Sequence, residues 1–428
     1  MGKKSVVISC PADTYSGYGA RSRDFIKALL KLEEYDVKIL SQRWGNCRFG
    51  YLKDHNEDDL YSRIIPQLTA QPDIWIQCTV PNEFQKIGKY NIGLTAGIET
   101  TVCHNSWLDG CNRMDLVIVS AQHAKEVFEK TTFDIKNNQT GQIQGQIKVT
   151  TPIEVLFEGG DVTKYLPKKY DNRGSVTREL NKIKESFCFI NVGHWMQGDY
   201  GHDRKNIGYT VKSFLETFKN KKNAPALILK TQQVGTSIID REEVLRRINH
   251  LRGQVKGTLP NIYLFHGEVS DDEINEFYNH PKVKAMVSHT KGEGFGRPLL
   301  EFALVNKPII VSGWSGHLDF LDKDFSIMLG GKLENVHPSA QVKNLILGEG
   351  QWFTPDDSQT GHAYKEIFKN YKKYLTLAKR QGYKIRTDFS FDAMVSQLKM
   401  ILDGRLPKFP EQVELTLPKL ELPKLEKL

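Results

Sequence analysis

The sequence lacks a long apolar run, and this absence bears on membrane topology. No apolar run approaches the roughly 20 residues that a helix needs to cross a bilayer. The start, Met1-Gly2-Lys3-Lys4, leads directly into a strand-like segment and not into the apolar region of a signal peptide. We therefore expect no membrane-spanning segment and a cytoplasmic protein.

Closely spaced cysteines are also missing. The 428 residues contain six cysteines and no Cys-x-x-Cys pair. Cys103, His104 and Cys111 have a spacing that fits no usual zinc site. This pattern argues against a disulfide scaffold or a structural zinc site and favours a reducing compartment. Three cysteines fall in apolar strand patterns and are predicted to be small buried hydrophobic residues: Cys10, Cys78 and Cys188.

A strong charge imbalance is absent too. The formal net charge of +8 is modest for a chain of this length. The basic excess is uneven, because segment 365–386 is rich in Lys and Arg and contains a single acidic residue, Glu366. This segment is either a solvated helix face or a patch for an anionic partner such as nucleic acid or lipid headgroups.

Strand-like and helix-like segments alternate along the chain. In the first half, apolar strand candidates occur at 6–10, 37–41, 74–78, 92–96 and 116–120, and a second series begins at 187–193. Repeated strand–helix units of this length are typical of a parallel, doubly wound sheet. The sequence therefore predicts an α/β fold.

One segment, 288–301, combines the strongest functional signals. It follows an apolar strand at 283–287, contains three closely spaced glycines and leads into a helix that opens near Pro298. A glycine-rich turn between a strand and a helix directs backbone N–H groups and the positive end of the helix dipole at a phosphate or another anion. Glu293 and Glu301, with seven residues between them, add carboxylates that accept hydrogen bonds from vicinal hydroxyls.

The segment from Glu293 to Glu301, followed by 307–312 and the turn 313–316, resembles the Glu-x7-Glu signature of retaining GT-B glycosyltransferases. The resemblance extends over residues 5–403. It implies two Rossmann-like domains that face a central cleft. It also implies transfer of a hexose from a nucleotide-diphosphate sugar, such as a UDP- or GDP-sugar, to a hydroxyl acceptor with retention of configuration. No metal or other cofactor is expected.

The resemblance implies roles for donor-site residues in the second half. Glu293 would hold the transferred sugar, and Glu301 would hold the ribose. Arg204 and Lys205 would neutralise the diphosphate, which suits cations placed beside a glycine turn, although the loop before them is longer than in the family. The remaining donor contacts come from glycines and from backbone at the helix start and after a strand: Gly193, Val269, Gly294, Phe295, Gly296, Leu299 and Leu300.

In the first half, the resemblance implies that Gly17 and Gly19 face the donor from the other side of the cleft. The motif Gly17-x-Gly19-x-x-Ser22 is close to a dinucleotide-binding fingerprint, but Ser22 replaces the third glycine and no acidic residue ends the second strand. Both departures disfavour a nicotinamide enzyme. The segment 97–120 resembles a pattern of the same family, in which Glu99, or alternatively His104, stands at the position of an active-site polar residue. The cations and aromatic residues of segment 42–54 form either an acceptor-binding loop or an ordinary packed loop.

These assignments divide the chain as follows. Residues 1–168 are the acceptor-side domain, 169–186 a linker, 187–388 the nucleotide-sugar domain, 389–404 a helix that crosses back to the first domain, and 405–428 an extended or disordered tail. The Leu-Pro-Lys repeat of this tail is a candidate docking strand for a partner.

Three functions remain open at this point. The first is a glycosyltransferase whose acceptor is a glycan or a lipid. The second is a glycosyltransferase whose acceptor is a hydroxylated base in DNA. The third possibility is a non-catalytic binder of a nucleotide sugar or a dinucleotide.

Overall fold

The computed structural model describes residues 3–137, 139–169, 173–233 and 235–409. It contains two six-stranded parallel sheets flanked by helices, which confirms the predicted α/β class with two Rossmann-like halves. The C-terminal tail from residue 410 onwards lies outside the described residues, so its predicted docking role stays a prediction. Within the described part of the chain, no helix is both long and apolar enough to span a membrane.

The strands of the first half form one sheet and a hairpin. Their bounds are β1 (Lys4–Cys10), β2 (Tyr35–Ser41), β3 (Ile74–Cys78), β4 (Tyr90–Thr95), β5 (Leu116–Val119), β6 (Phe133–Lys136), β7 (Ile143–Ile147) and β8 (Ile153–Val155). The sheet has the order β2-β1-β3-β4-β5-β8, and β6 pairs with β7 in an antiparallel hairpin.

The second half repeats this plan. Its strands are β9 (Cys188–Val192), β10 (Ala226–Lys230), β11 (Ile262–Phe265), β12 (Val283–Ser288), β13 (Ile309–Ser312), β14 (Ile327–Leu329), β15 (Gly331–Asn335) and β16 (Gln351–Pro355). The sheet order is β11-β10-β9-β12-β13-β14, and β15 pairs antiparallel with β16. In both sheets the strand order reverses beside the first strand, and ligands of open α/β sheets bind at such a switch point.

The α-helices cover the faces of the two sheets. Their bounds are α1 (Gly17–Lys31), α2 (Tyr51–Asp54), α3 (Asp58–Ser62), α4 (Asn105–Asn112), α5 (Gln122–Lys130), α6 (Ser175–Asn181), α7 (Ile207–Phe218), α8 (Ile238–Gln254), α9 (Asp271–Asn279), α10 (Arg297–Leu304), α11 (Asp357–Lys369), α12 (Tyr371–Asp388) and α13 (Phe391–Arg405). Short 3-10 turns occur at Pro81–Glu83, Gly316–Asp319 and Pro338–Ala340.

The central strands are buried on both faces, which explains their continuous apolar sequences. Every residue of β5 is buried, and β1 pairs in parallel register with both neighbours, Val6 opposite Val37 and Ile8 opposite Ile76. Cys10, Cys78 and Cys188 are free and buried in these strands, as predicted. Aromatic residues of 364–374 pack on the core of the second half. Six cations of α11 and α12 are exposed: Lys365, Lys369, Lys372, Lys373, Lys379 and Arg380.

The last helix, α13, connects the second half back to the first. Gly160 N–H donates to Phe389 O at 2.8 Å, and Phe391 N–H donates to Gly160 O at 2.9 Å. At Gly159, a Cβ would lie 2.7 Å from Phe391 Cα, so a larger residue would push the helix away. The helix then packs along α1, which ties the two sheets together behind the cleft.

Candidate functional site

The segment that carries the sequence signature lies between β12 and α10. Gly296 has a φ of 103° and forms the N-cap of α10, a left-handed conformation that favours glycine. The turn is fixed by two hydrogen bonds: Glu293 N–H donates to Ser315 Oγ at 2.8 Å, and Gly316 N–H donates to Glu293 O at 3.1 Å. The glycine turn 292–296 is therefore hydrogen-bonded to the second glycine turn, 313–316.

Two glycines of the signature touch the first half of the chain. A Cβ on Gly292 would lie 2.2 Å from Glu99 O, and a Cβ on Gly294 would lie 3.0 Å from Ala96 O. Ser120 Oγ also donates to Gly294 O at 3.2 Å. These glycines thus allow the signature turn to lie against the carboxyl ends of β4 and β5, across the cleft.

Glu293 is buried in a clamp of two cations. Lys205 Nζ lies 2.6 and 2.7 Å from the two carboxylate oxygens, and Arg204 Nη1 lies 3.5 Å from Oε2. Burial alone would raise the pKa of Glu293, but Lys205 and Arg204 lower it to about 2. Glu293 is therefore a permanent anion at neutral pH.

Arg204 also joins the two halves of the chain. Its Nη1 donates to Gly292 O at 2.8 Å and lies 3.1 Å from Glu99 Oε1. Both cations precede α7, whose N-cap Asn206 has a left-handed φ of 54°. Since β9 and β12 are neighbours in the sheet, the loops that follow them meet, and the four predicted catalytic residues come together: Glu99, Arg204, Lys205 and Glu293.

Glu301 lies in a second charged cluster that sequence reasoning missed. Arg297 Nε lies 3.1 Å from Glu301 Oε1, and the same guanidinium pairs with Asp24 of α1 and lies 3.6 Å from Glu158 Oε2. Burial raises the pKa of Glu301 to about 7, although Arg297 opposes this rise. Arg297 lies four residues before Glu301 in the signature segment, and this spacing on a helix is the sequence signal that could have predicted their ion pair.

The leucines of the signature are part of the core. Leu299 and Leu300 are buried, and both of their N–H groups donate to Gly296 O, at 2.9 and 3.3 Å. Phe295 is also buried, with its ring centroid 4.8 Å from that of Phe320. Their side chains hold the signature turn on the sheet, and their contact with a donor phosphate stays a prediction.

The predicted glycines of the first half differ in their surroundings. Ser16 caps α1 and accepts from Gly19 N–H at 2.9 Å. A Cβ on Gly19 would lie 2.4 Å from Thr14 O, whereas one on Gly17 would have no atom within 4 Å. Gly19 is thus required by local packing, and Gly17 leaves open space at the start of the helix.

The other predicted positions are more dispersed. Gly193 follows β9 and leaves room for the stem of Lys205, whose Cδ would lie 3.6 Å from a Cβ there. Val269 is half-buried in the turn between β11 and α9. His104 caps α4, with Nδ1 accepting from Ser106 N–H at 3.2 Å. Of the two alternatives, Glu99 is the one that contacts the clamp.

An exposed ion pair crosses the mouth of the cleft near Val269. Arg48 Nη1 lies 2.8 Å from Glu268 Oε2, and Nη2 lies 2.6 Å from Asp54 Oδ2. Segment 42–54 of the first half therefore reaches the turn after β11. Among the residues that the structure describes, no group of three or more His, Cys, Asp and Glu side chains is arranged to hold a metal ion.

Solved structures of glycosyltransferases share this fold. A glycosyltransferase from Rickettsia africae ESF-5 aligns with a TM-score of 0.62 at 13% identity, covering 94% of this chain and 99% of its own. The sucrose-phosphate synthase of Thermosynechococcus elongatus gives a TM-score of 0.60 at 12% identity, with coverages of 94% and 99%. Anabaena HepE in complex with UDP-glucose gives 0.59 at 12% identity, with coverages of 94% and 100%.

These likenesses, together with the two sheets and the cleft, define the architecture. The chain has the GT-B fold of glycosyltransferases. No protein-family model matches the sequence. A search of curated proteins likewise finds no match.

Proposed function

We propose that the protein is a retaining glycosyltransferase that moves a sugar from a nucleotide-diphosphate donor to a hydroxyl of a glycan or lipid. The observation that carries this proposal is the clamp of Lys205, Arg204 and Glu293 at the switch point of the second sheet, in contact with Glu99 from the first. A buried pair of cations beside a glycine turn suits a diphosphate, and the adjacent carboxylate suits sugar hydroxyls.

The clamp supports a specific division of labour in the reaction. As the bond between the anomeric carbon and the diphosphate oxygen breaks, positive charge grows on the sugar and negative charge on the leaving phosphate. Arg204 and Lys205 stabilise that negative charge. The phosphate oxygen then accepts the proton of the acceptor hydroxyl as the new bond forms on the same face, so no separate nucleophile is required. Glu293 and Glu301 orient the sugar and the ribose.

UDP-glucose is the first donor to test, because one similar structure is a complex with UDP-glucose. The proposal includes activity without a metal ion. The experiment measures release of UDP, GDP or ADP from the matching glucose donors, with and without EDTA. Wild type is compared with Arg204→Ala and Lys205→Met. Lys222→Ala is the matched control, because Lys222 is exposed on the same half of the chain.

We expect one nucleotide to be preferred, and we expect Arg204→Ala and Lys205→Met each to lower turnover by about 100-fold, the usual effect of removing one charge-stabilising group. Lys222→Ala should behave as wild type. Full activity in both clamp variants would contradict the site assignment. Proton NMR of the product then determines whether the anomeric configuration is retained, and an inverted product would contradict that part of the proposal.

A DNA-modifying transferase is the second candidate, and one observation favours it. Exposed cations follow one another along α11 and α12: Lys365, Lys369, Lys372, Lys379 and Arg380. Such a row suits a phosphate backbone, and binding to it would weaken steeply with salt. Filter binding of double-stranded DNA at low and high salt tests this candidate, which fails if the protein does not bind DNA.

A further inference from the structure

An aromatic pair lies on the first-half wall of the cleft. The rings of Trp44 and Tyr18 are stacked, with centroids 4.0 Å apart and an interplanar angle of 19°. Trp44 belongs to the segment after β2, and Tyr18 to the first turn of α1, after β1. Both therefore lie at the carboxyl ends of parallel strands, the edge where ligands of such sheets bind.

The pair is linked directly to the donor side of the cleft. Tyr18 Oη lies 3.1 Å from Thr95 Oγ1 and accepts from Ala96 N–H at 3.1 Å. Ala96 is the residue whose carbonyl oxygen faces Gly294 of the signature turn. One residue thus separates the aromatic pair from the turn that is proposed to hold the transferred sugar.

We propose that the Trp44–Tyr18 pair is the acceptor subsite and binds the ring of an uncharged sugar. This inference rests on the proposed function, and it specifies the acceptor that the function leaves open. A sugar ring presents an apolar C–H face that packs on a flat aromatic surface, while its edge carries hydroxyls. Ligand sites combine such aromatic surfaces with a few polar groups, and Arg48, which pairs with Asp54 and Glu268, lies four residues after Trp44 in the same segment.

The charges around the pair favour an uncharged ligand over nucleic acid. Arg48 is already held by two carboxylates, those of Asp54 and Glu268. Arg23 is buried, with its guanidinium 3.4 Å from the Tyr51 ring centroid and its Nη1 donating to Ala12 O and Thr14 O. Arg43 and Lys53 each lie over an aromatic ring, at 5.6 Å from the centroid of Phe49 and 4.9 Å from that of Tyr61. A polyanion is bound through several cations, and this wall offers few.

Saturation-transfer NMR on the full-length protein tests the subsite with three uncharged probes: maltose, cellobiose and lactose. We expect at least one to bind wild type, and Trp44→Ala to weaken that binding by about tenfold, as loss of a stacking ring does. Trp44→Phe, which keeps a ring, should lie between the two. Tyr61→Ala is the matched control, because Tyr61 is an exposed aromatic residue beside a lysine in the same half, and it should bind as wild type.

Donor binding separates this inference from the proposed function. Calorimetry measures the affinity for UDP-glucose in the same variants. Trp44→Ala should change it by less than about twofold while raising the acceptor KM, since the proposed ligand of the ring is the acceptor and not the donor. If the sugar binds at Trp44 but the protein transfers no sugar from any donor, the aromatic pair is a sugar-binding site and the transferase proposal is wrong.

Four outcomes would overturn the subsite. One is that none of the three sugars binds wild type. A second is that Trp44→Ala binds them as wild type does. A third is that Trp44→Ala and Trp44→Phe both lose UDP-glucose affinity along with sugar affinity, which would make the pair a structural support. The fourth is that an oligodeoxythymidine binds in a Trp44-dependent manner and displaces the sugar, which would identify the wall as a nucleic-acid site.

Discussion

The two glutamates of the signature segment are the same residue type and both are largely removed from solvent, yet their electrostatic surroundings differ. Glu293 faces two cations and has a pKa of about 2. Glu301 faces one cation, Arg297, which also serves Asp24 and Glu158, and burial raises its pKa to about 7. The number of cations per carboxylate therefore decides the charge state, since both carboxylates are desolvated.

This difference bears on the proposed reaction. Glu293 is an anion at every physiological pH, so it keeps Arg204 and Lys205 oriented until a diphosphate competes for them. With its pKa raised to about 7, Glu301 would, in the proposed site, be able to donate to a ribose hydroxyl as well as accept from one. In the proposed site, the end that holds the sugar would thus be fixed by charge, and the end that holds the ribose would be adjustable.

The largest expected effect comes from removing one cation of the Glu293 clamp. Lys205→Met keeps the length of the side chain and leaves the buried carboxylate with Arg204 alone. Breaking a buried ion pair costs about 3–5 kcal/mol of folding stability, because a desolvated charge is left behind. Urea unfolding measures this loss.

A double variant distinguishes charge from packing. Lys205→Met combined with Glu293→Gln removes both charges, so most of the lost stability should return while sugar transfer stays low. If the single variant unfolded at the same urea concentration as wild type, the clamp would not be a desolvated pair.

An intermediate effect is expected in the pH dependence of stability. Because the folded pKa of Glu301 lies above its ordinary value of 4.5, the folded state binds more protons than the unfolded state between about pH 4.5 and 7. The stability that Glu301 contributes is complete below this window and is lost as the pH rises through it. Between about pH 5 and pH 8 the loss is about 2 kcal/mol.

Glu301→Gln should remove this loss, so the variant should gain about 2 kcal/mol on wild type between about pH 5 and pH 8 in urea unfolding. Glu293 gives the opposite sign: its lowered pKa adds stability above its ordinary value of 4.5, which is lost as the pH falls towards about 2. Glu293→Gln is therefore the matched comparison, and its deficit should be nearly constant between these two pH values. If the stabilities of both variants relative to wild type depended on pH in the same way, the proposed difference between the two carboxylates would be contradicted.

The contrast also marks how far the sequence predicts the site. The resemblance of the signature segment predicts that Arg204 and Lys205 share a site with Glu293, and in the structure their side chains lie beside its carboxylate. Asp24 and Glu158, however, reach Arg297 only because α1 and the end of the first sheet pack against α10. Gly19 has a ligand-loop pattern in the sequence, but its small size is needed beside Thr14. Contacts between distant segments depend on how the domains pack, which no local pattern encodes.

The smallest expected effect concerns the pair that crosses the cleft in solvent. Arg48 and Glu268 are both well exposed, at 54% and 37% of their side-chain surfaces, so water and salt screen their attraction. The buried attraction of Arg204 and Lys205 to Glu293 is screened much less. Arg48→Ala should change the KM for UDP-glucose by less than about twofold at low salt and not at all at high salt. Glu268→Ala should give the same small change, and the double variant should add nothing, because one interaction is lost in each case. A loss of turnover as large as that expected for Lys205→Met would mean that this exposed pair holds the cleft closed. The contribution of an ion pair would then not depend on whether it is exposed or buried.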